Sequence, residues 1–127
     1  MRALCVLLLA GPVWADPVSV PSGQEISFYD VVEDADAHEG GLWRYRFLTP
    51  GISRDGGTVP VETALADIEA LCGTFVVADL GRFDVAPDRV VITFMDRPVV
   101  FGQATPEATQ FFEAFLIEDG KCIWEGF

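Results

Sequence analysis

Val61-Glu62-Thr63-Ala64-Leu65-Ala66-Asp67-Ile68-Glu69-Ala70-Leu71-Cys72-Gly73-Thr74-Phe75 is the stretch on which the fold class turns. Val61, Ala64, Leu65, Ile68, Leu71, Cys72 and Phe75 recur at helical spacing, and Glu62, Asp67 and Glu69 fall off that stripe. The segment therefore reads as one amphipathic helix with a single apolar face. Pro60 stands at its entrance, acidic residues load its first turns, and Gly73 offers a stop, all in keeping with the helix dipole and end preferences.

Before the helix the period is that of strands. Residues 25–33 alternate Ile26, Phe28 and then Val32 with polar positions, and residues 42–48 put Trp43, Tyr45 and Phe47 on one face and Arg44 and Arg46 on the other. An acidic segment ending in Gly40-Gly41 joins them, so the two read as an antiparallel hairpin. Thr49-Pro50-Gly51 breaks the second strand, and Arg54-Asp55-Gly56-Gly57 has the turn chemistry of an exposed loop. After the helix, polar residues 79–88 lead into 89–95, whose Val90, Val91, Ile92, Thr93 and Phe94 predict a strand. Residues 99–101 suggest a short partner strand, and Thr105-Pro106-Glu107 has the form of a cap opening at most two helical turns. Phe111, Phe112 and Phe115 fit either helical or extended spacing, and with the turn sequence Glu118-Asp119-Gly120-Lys121 after them residues 111–117 and 122–125 read as a closing hairpin. The expected fold is α+β: an antiparallel sheet with one main amphipathic helix packed on one face.

Residues 1–15 have a basic start at Arg2, an apolar run over 3–13 and a small-residue exit at Val13-Trp14-Ala15, the pattern of a cleaved export signal. A helical membrane span needs about 20 apolar residues, so stable membrane insertion is not expected. The expected organisation is a signal peptide at 1–15 and a single domain over 16–127. An apolar fraction of 50% rules out a disordered chain despite the formal charge of −12. Twenty acidic against eight basic residues repel phosphate backbones and anionic lipid, which excludes nucleic acid as a partner and leaves a cationic partner, a cation or plain solubility. Cys5 leaves with the signal; Cys72 and Cys122 remain, and in an oxidising compartment a lone pair reads as one disulfide.

Chemistry-bearing motifs are sparse. His38 is the single histidine, set among Asp34, Asp36 and Glu39, so a carboxylate- and histidine-dependent hydrolase or lyase would have to use it. The acidic segment from Asp30 to Glu39 offers oxygen ligands for calcium or another cation, but Asp34-x-Asp36-x-His38-Glu39 departs from an EF-hand loop at its fifth and sixth positions. Ser19, Ser22, Ser27 and Ser53 lack a nucleophile-elbow setting, and no phosphate-cradling glycine motif occurs. No catalytic residue, metal-ligand set or cofactor is assigned. The residues expected to serve binding are Arg54 and Asp55 in the glycine-rich loop and the aromatics Phe111, Phe112 and Trp124. The preferred reading is a non-catalytic module that engages another exported protein, with the hydrolase or lyase and the cation binder as alternatives.

Val20-Pro21-Ser22-Gly23-Gln24, Tyr45-Arg46-Phe47, Ser53-Arg54-Asp55-Gly56-Gly57, the run from Pro106 to Phe115, Glu118-Asp119-Gly120 and Cys122-Ile123-Trp124-Glu125 together resemble a family of short exported bacterial proteins classed as a domain of unknown function. The resemblance spans nearly the whole mature chain. It implies a Gram-negative, periplasmic setting and supplies no activity. Some members of that group bear an acetolactate synthase label, which the residues contradict. Such enzymes are several times longer and bind thiamine diphosphate through Gly-Asp-Gly and a later Asn-Asn, whereas here Asp119-Gly120 follows Glu118 and the chain contains no asparagine.

Overall fold

Six strands form one sheet in the sequential order β1 to β6. They are β1 (Asp16–Pro17), β2 (Ser27–Asp34), β3 (Leu42–Leu48), β4 (Arg89–Met95), β5 (Gln110–Glu118) and β6 (Lys121–Glu125). The computed structural model describes residues 16–34 and 40–126. The expected leader with Cys5, and Asp36, His38 and Glu39 of the acidic segment, lie outside the described residues.

The sheet is mixed, which corrects the expectation of a purely antiparallel one. β3 and β4 run parallel, with Leu42 opposite Arg89 and Leu48 opposite Met95, while every other pair is antiparallel. Period reveals which segments are strands, not how they pair. Here the helix is itself the crossover: the chain leaves the sheet after Leu48 and returns to the end where β3 began, the long connection that parallel pairing requires. β4 thus lies in the middle of the sheet, flanked by β3 and β5, and is covered on both faces. Val90, Ile92 and Phe94 are buried toward the helix, and Thr93 and Met95 are buried on the other side, hence its nearly unbroken apolar run.

The helix is longer than its stripe predicted. An α segment, α1 (Val61–Leu71), passes through a wider π turn (Cys72–Val76) directly into α2 (Val77–Arg82). Gly73 therefore does not stop it. Gly73 is exposed, so its cost of about 1 kcal/mol relative to alanine is set against the burial of Cys72, Val76 and Leu80 beyond it. Ile68, Cys72, Val76 and Leu80 recur every fourth residue, a spacing that drifts off the face of a 3.6-residue helix. The widened turn returns them to the sheet. The disulfide between Cys72 and Cys122, with Cα atoms 6.2 Å apart, ties this turn to the edge strand β6.

Ahead of the helix, residues 18–26 are pinned to it by Asp67, which is buried and accepts from the Ser22 amide at 3.1 Å, the Ser22 hydroxyl at 2.5 Å and the Gln24 side-chain amide at 2.8 Å. Tyr45 is fully buried beneath the helix, and its hydroxyl donates to Asp79 Oδ2 at 2.8 Å. Burial and that carboxylate push the Tyr45 phenol above its ordinary range, so it is a fixed neutral donor.

Two further expectations fail between β4 and β5. Residues 99–101 form no strand, and Pro106 opens no helix; 96–109 is a connection of turns. The apolar residues that suggested a strand are used differently. Val99 and Ala108 close over Leu48 and Met95 on the face of the sheet that the helix leaves bare, forming a second, small core with Tyr29. The final hairpin matches its sequence: Asp119 (φ 52°) and Gly120 (φ 72°) are both left-handed, the requirement of a two-residue type I′ turn.

Asp96 anchors the 96–109 connection. Its carboxylate accepts from the Thr109 amide at 3.0 Å and from the guanidinium of Arg97 at 3.1 Å. Burial alone would raise this carboxyl, but hydrogen bonds from Arg97, the Thr109 amide and Ser53 outweigh it and hold it below the usual carboxylate range. A folded-state value below the unfolded one adds stability that is complete above the unfolded value, about 3.9, and is lost as pH falls through the folded value. The stability difference between the parent and Asp96→Asn is thus expected to shrink steadily below about pH 4 in urea titrations. A difference independent of pH between 2 and 7 would show that the Asp96 charge is not what holds the connection.

Candidate binding groove

The helix covers one face of the sheet and the 96–109 connection covers only one end of the other. The cross-strand rows of that second face follow from register. Nearest the connection lie Leu48, Met95 and Gln110; then Asp30, Arg46, Thr93 and Phe112; then Val32, Arg44, Val91, Ala114 and Glu125; and last Asp34, Leu42, Arg89, Leu116 and Ile123. Three strand arginines therefore share this face in a chain of net charge −12.

Two of the three are closed by carboxylates. Arg89 pairs with Glu125. Arg46, only 6% exposed, donates from Nε and Nη2 to the two oxygens of Asp30, each at 2.7 Å, and from Nη1 to the Val99 carbonyl at 2.7 Å. Its guanidinium is also flanked by the rings of Tyr29 at 5.3 Å and Phe101 at 5.7 Å. A bulge makes this possible: Phe28 pairs with Phe47 and Asp30 with Arg46, so the extra residue Tyr29 reaches the same side as Asp30.

Arg44 is different. It forms no ion pair or hydrogen bond with any described residue, and its Nε is buried without an acceptor. Among the described residues its guanidinium is met by the Phe101 ring, 5.5 Å from the guanidinium carbon, an electrostatic contact. Along its row the neighbours are Val32 and Val91, so no carboxylate stands directly opposite it. Arg44, Arg46, Thr93, Val99, Phe101, Gly102, Gln103, Gln110 and Phe112 line a groove of about 190 Å³. Its rims are two aromatics left in solvent, Phe101 at 47% and Phe112 at 55% exposure.

The residues expected to bind are not brought together. Arg54 is fastened inward: its amide donates to Thr109 Oγ1 at 3.0 Å and its guanidinium to the carbonyls of Pro106 at 2.8 Å and Ala108 at 3.4 Å, clasping the connection to its own loop. Asp55 is exposed on that loop, its amide bonded to Ser53 Oγ. Phe111 packs against the main core on the helix side. Trp124 is on that side as well, at the sheet edge, 58% exposed, with its indole N–H donating to Glu113 Oε2 at 2.6 Å. Of the five, Phe112 alone borders the groove. Arg44, Arg46 and Phe101 were missed as site residues. The alternation of Trp43, Tyr45 and Phe47 with Arg44 and Arg46 was the available signal, since it places two arginines on a face that the single helix cannot cover.

For the other candidates, Asp30 is engaged by Arg46 and so is no free oxygen ligand. Among the described residues no three metal-ligating side chains converge, and none of their helices is long and apolar enough to cross a membrane. Cys72 is held in its disulfide and is no nucleophile.

Residues 6–127 match the model of a family of unknown function, DUF6497. The chain belongs to this family. DUF6497 carries no activity to transfer. No curated protein and no solved structure matches the chain.

Proposed function

We propose that the protein is an exported, non-catalytic recognition module, and that a protein partner docks on the second face of the sheet at the Arg44 groove. One observation carries this reading: a guanidinium without a carboxylate partner among the described residues, set between exposed aromatics, in a chain whose acidic residues outnumber its basic ones by twenty to eight. The buried Nε is closed to solvent, a cost of about 1–3 kcal/mol, and the two terminal nitrogens of the same guanidinium are the donors that a bound acceptor meets. Phenylalanine and arginine are among the residues enriched at protein interfaces relative to the rest of the surface. Export is part of the same reading, supported by the leader pattern of residues 1–15 and by a disulfide of the kind that persists in oxidising compartments.

The test is site-directed photo-crosslinking in the native host, with the photoreactive residue at Phe112 and, as a control on the other side of the molecule, at Phe83. A single protein captured from 112 and not from 83 is expected. When purified, it should bind the parent and lose at least tenfold in affinity to Phe112→Ser. Equal capture from both positions, or unchanged affinity of Phe112→Ser, would refute the assignment of this face.

A further inference from the structure

The groove also carries information about ligand chemistry, and the inference rests on the recognition reading above. We infer that Arg44 receives the terminal carboxylate of a peptide whose last residue is apolar, with that side chain seated between Phe101 and Phe112.

Charge comes first. Arg44 presents a planar fork of N–H donors with no acceptor among the described residues, and the acceptor that matches such a fork with two parallel bonds is a carboxylate. A phosphate dianion is a poorer match. The second guanidinium in the groove, Arg46, is already closed by both oxygens of Asp30, and the remaining lining side chains with polar groups, Thr93, Gln103 and Gln110, are neutral. One open cation balances one negative charge, and the net charge of −12 opposes a second.

Size and surroundings come next. A space of about 190 Å³ is smaller than the ~300 Å³ at which drug-sized sites begin. It accommodates one residue and its carboxylate. Val99, Phe101 and Phe112 supply the apolar part of the lining, and an apolar group attached to the carboxylate has its contacts there. Beyond Arg44 the face continues through Val91 and Ala114 to Leu116 and the exposed Ile123. That strip, whose apolar side chains lie beside the Arg89–Glu125 ion pair, gives the preceding residues of an extended chain both side-chain contacts and charged groups for its backbone to meet, which a free small acid would leave uncovered. This continuity favours a peptide end over a metabolite.

The probes are acetyl-Ala-Ala-Phe as the free acid, the same peptide as its C-terminal amide, and 3-phenylpropionate, each titrated into the disulfide-bonded protein and followed by calorimetry and by NMR shifts. The free acid is expected to bind at least tenfold more tightly than the amide and to shift the Arg44 Nε–H, Thr93, Gln110 and Phe112 resonances. Arg44→Gln should abolish the discrimination between acid and amide, Arg44→Lys should retain part of it, and Phe83→Ser should retain it fully. Each variant is checked for an unchanged thermal midpoint, so that loss of binding is not loss of fold.

Equal affinity for acid and amide, or unaltered discrimination in Arg44→Gln, would overturn the inference. Phenylpropionate binding as tightly as the peptide acid would overturn the peptide assignment in favour of a free carboxylate. If acid and amide bind alike while Phe112→Ser still releases a crosslinked partner, the carboxylate inference fails and the recognition surface stands.

Discussion

Replacing Cys72 and Cys122 together by alanine is expected to lower the free energy of unfolding by about 4 kcal/mol, the chain-entropy value for a loop closed across a sequence separation of 50. For a domain of this length that corresponds to a fall in Tm of roughly 15 °C, and it is a large share of a total stability of about 5–15 kcal/mol. The loss should not be spread evenly. β6 is an edge strand that pairs only with β5, and its Ile123 and Trp124 are largely exposed, so little burial holds it in place. The half-cystine is its covalent tie to the π turn of the helix. In the double variant, amide protection should collapse first in β6, while β3 and β4 keep theirs because Tyr45, Phe47, Val90, Ile92 and Phe94 stay buried between them and the helix. Urea unfolding and hydrogen exchange of the double variant measure both effects. A loss below 1 kcal/mol would mean that β6 docks without its staple and that the bond constrains the unfolded chain far less than the loop length implies.

The elements that were legible in the sequence are those whose signal is local. The 3.6-residue stripe from Val61, the alternation about Trp43, Tyr45 and Phe47, and the Asp119-Gly120 turn each fix one element by its own residues, and each is present. The errors arise where non-local energy decides. Gly73 looked like a stop because helix propensity is local, but Val76 and Leu80 have a sheet to pack against and carry the helix through it. Val99 looked like a strand because it is β-branched, yet its place is settled by the need to cover Leu48 and Met95. The parallel pairing of β3 and β4 depends on where a long crossover returns, which no short window encodes. The groove was hidden for a similar reason. That Arg44 and Arg46 share a face is written in their spacing. That one of them is closed by Asp30 and the other is open depends on a bulge at Tyr29 and on a connection some fifty residues further on.

Unequal costs are expected from the two halves of the ion pair beside the groove. Asp30→Ala should destabilise by about 3 kcal/mol and Arg46→Met by about 1–2 kcal/mol, although each removes the same salt bridge. The asymmetry comes from exposure: the Arg46 side chain is 7% exposed and that of Asp30 is 38%. Removing Asp30 leaves a positive charge under Tyr29 and Phe101 with the Val99 carbonyl and, at 3.8 Å, the weakly accepting Met95 sulfur, and a buried charge without its partner is the expensive case. Removing Arg46 instead leaves a carboxylate that water can reach, so the main losses are the Val99 hydrogen bond and the packing of the guanidinium against its two rings. Urea titration of both variants and of the double replacement gives the coupling energy directly, and a larger cost for Arg46→Met than for Asp30→Ala would show that the pair is solvated and that the ranking by burial is wrong. The same comparison bears on recognition. In Asp30→Ala the groove holds two open guanidinium groups instead of one, so its preference should move from a carboxylate toward a dianion such as inorganic phosphate. Asp30 thus sets the charge of the site by neutralising one arginine and leaving the other free.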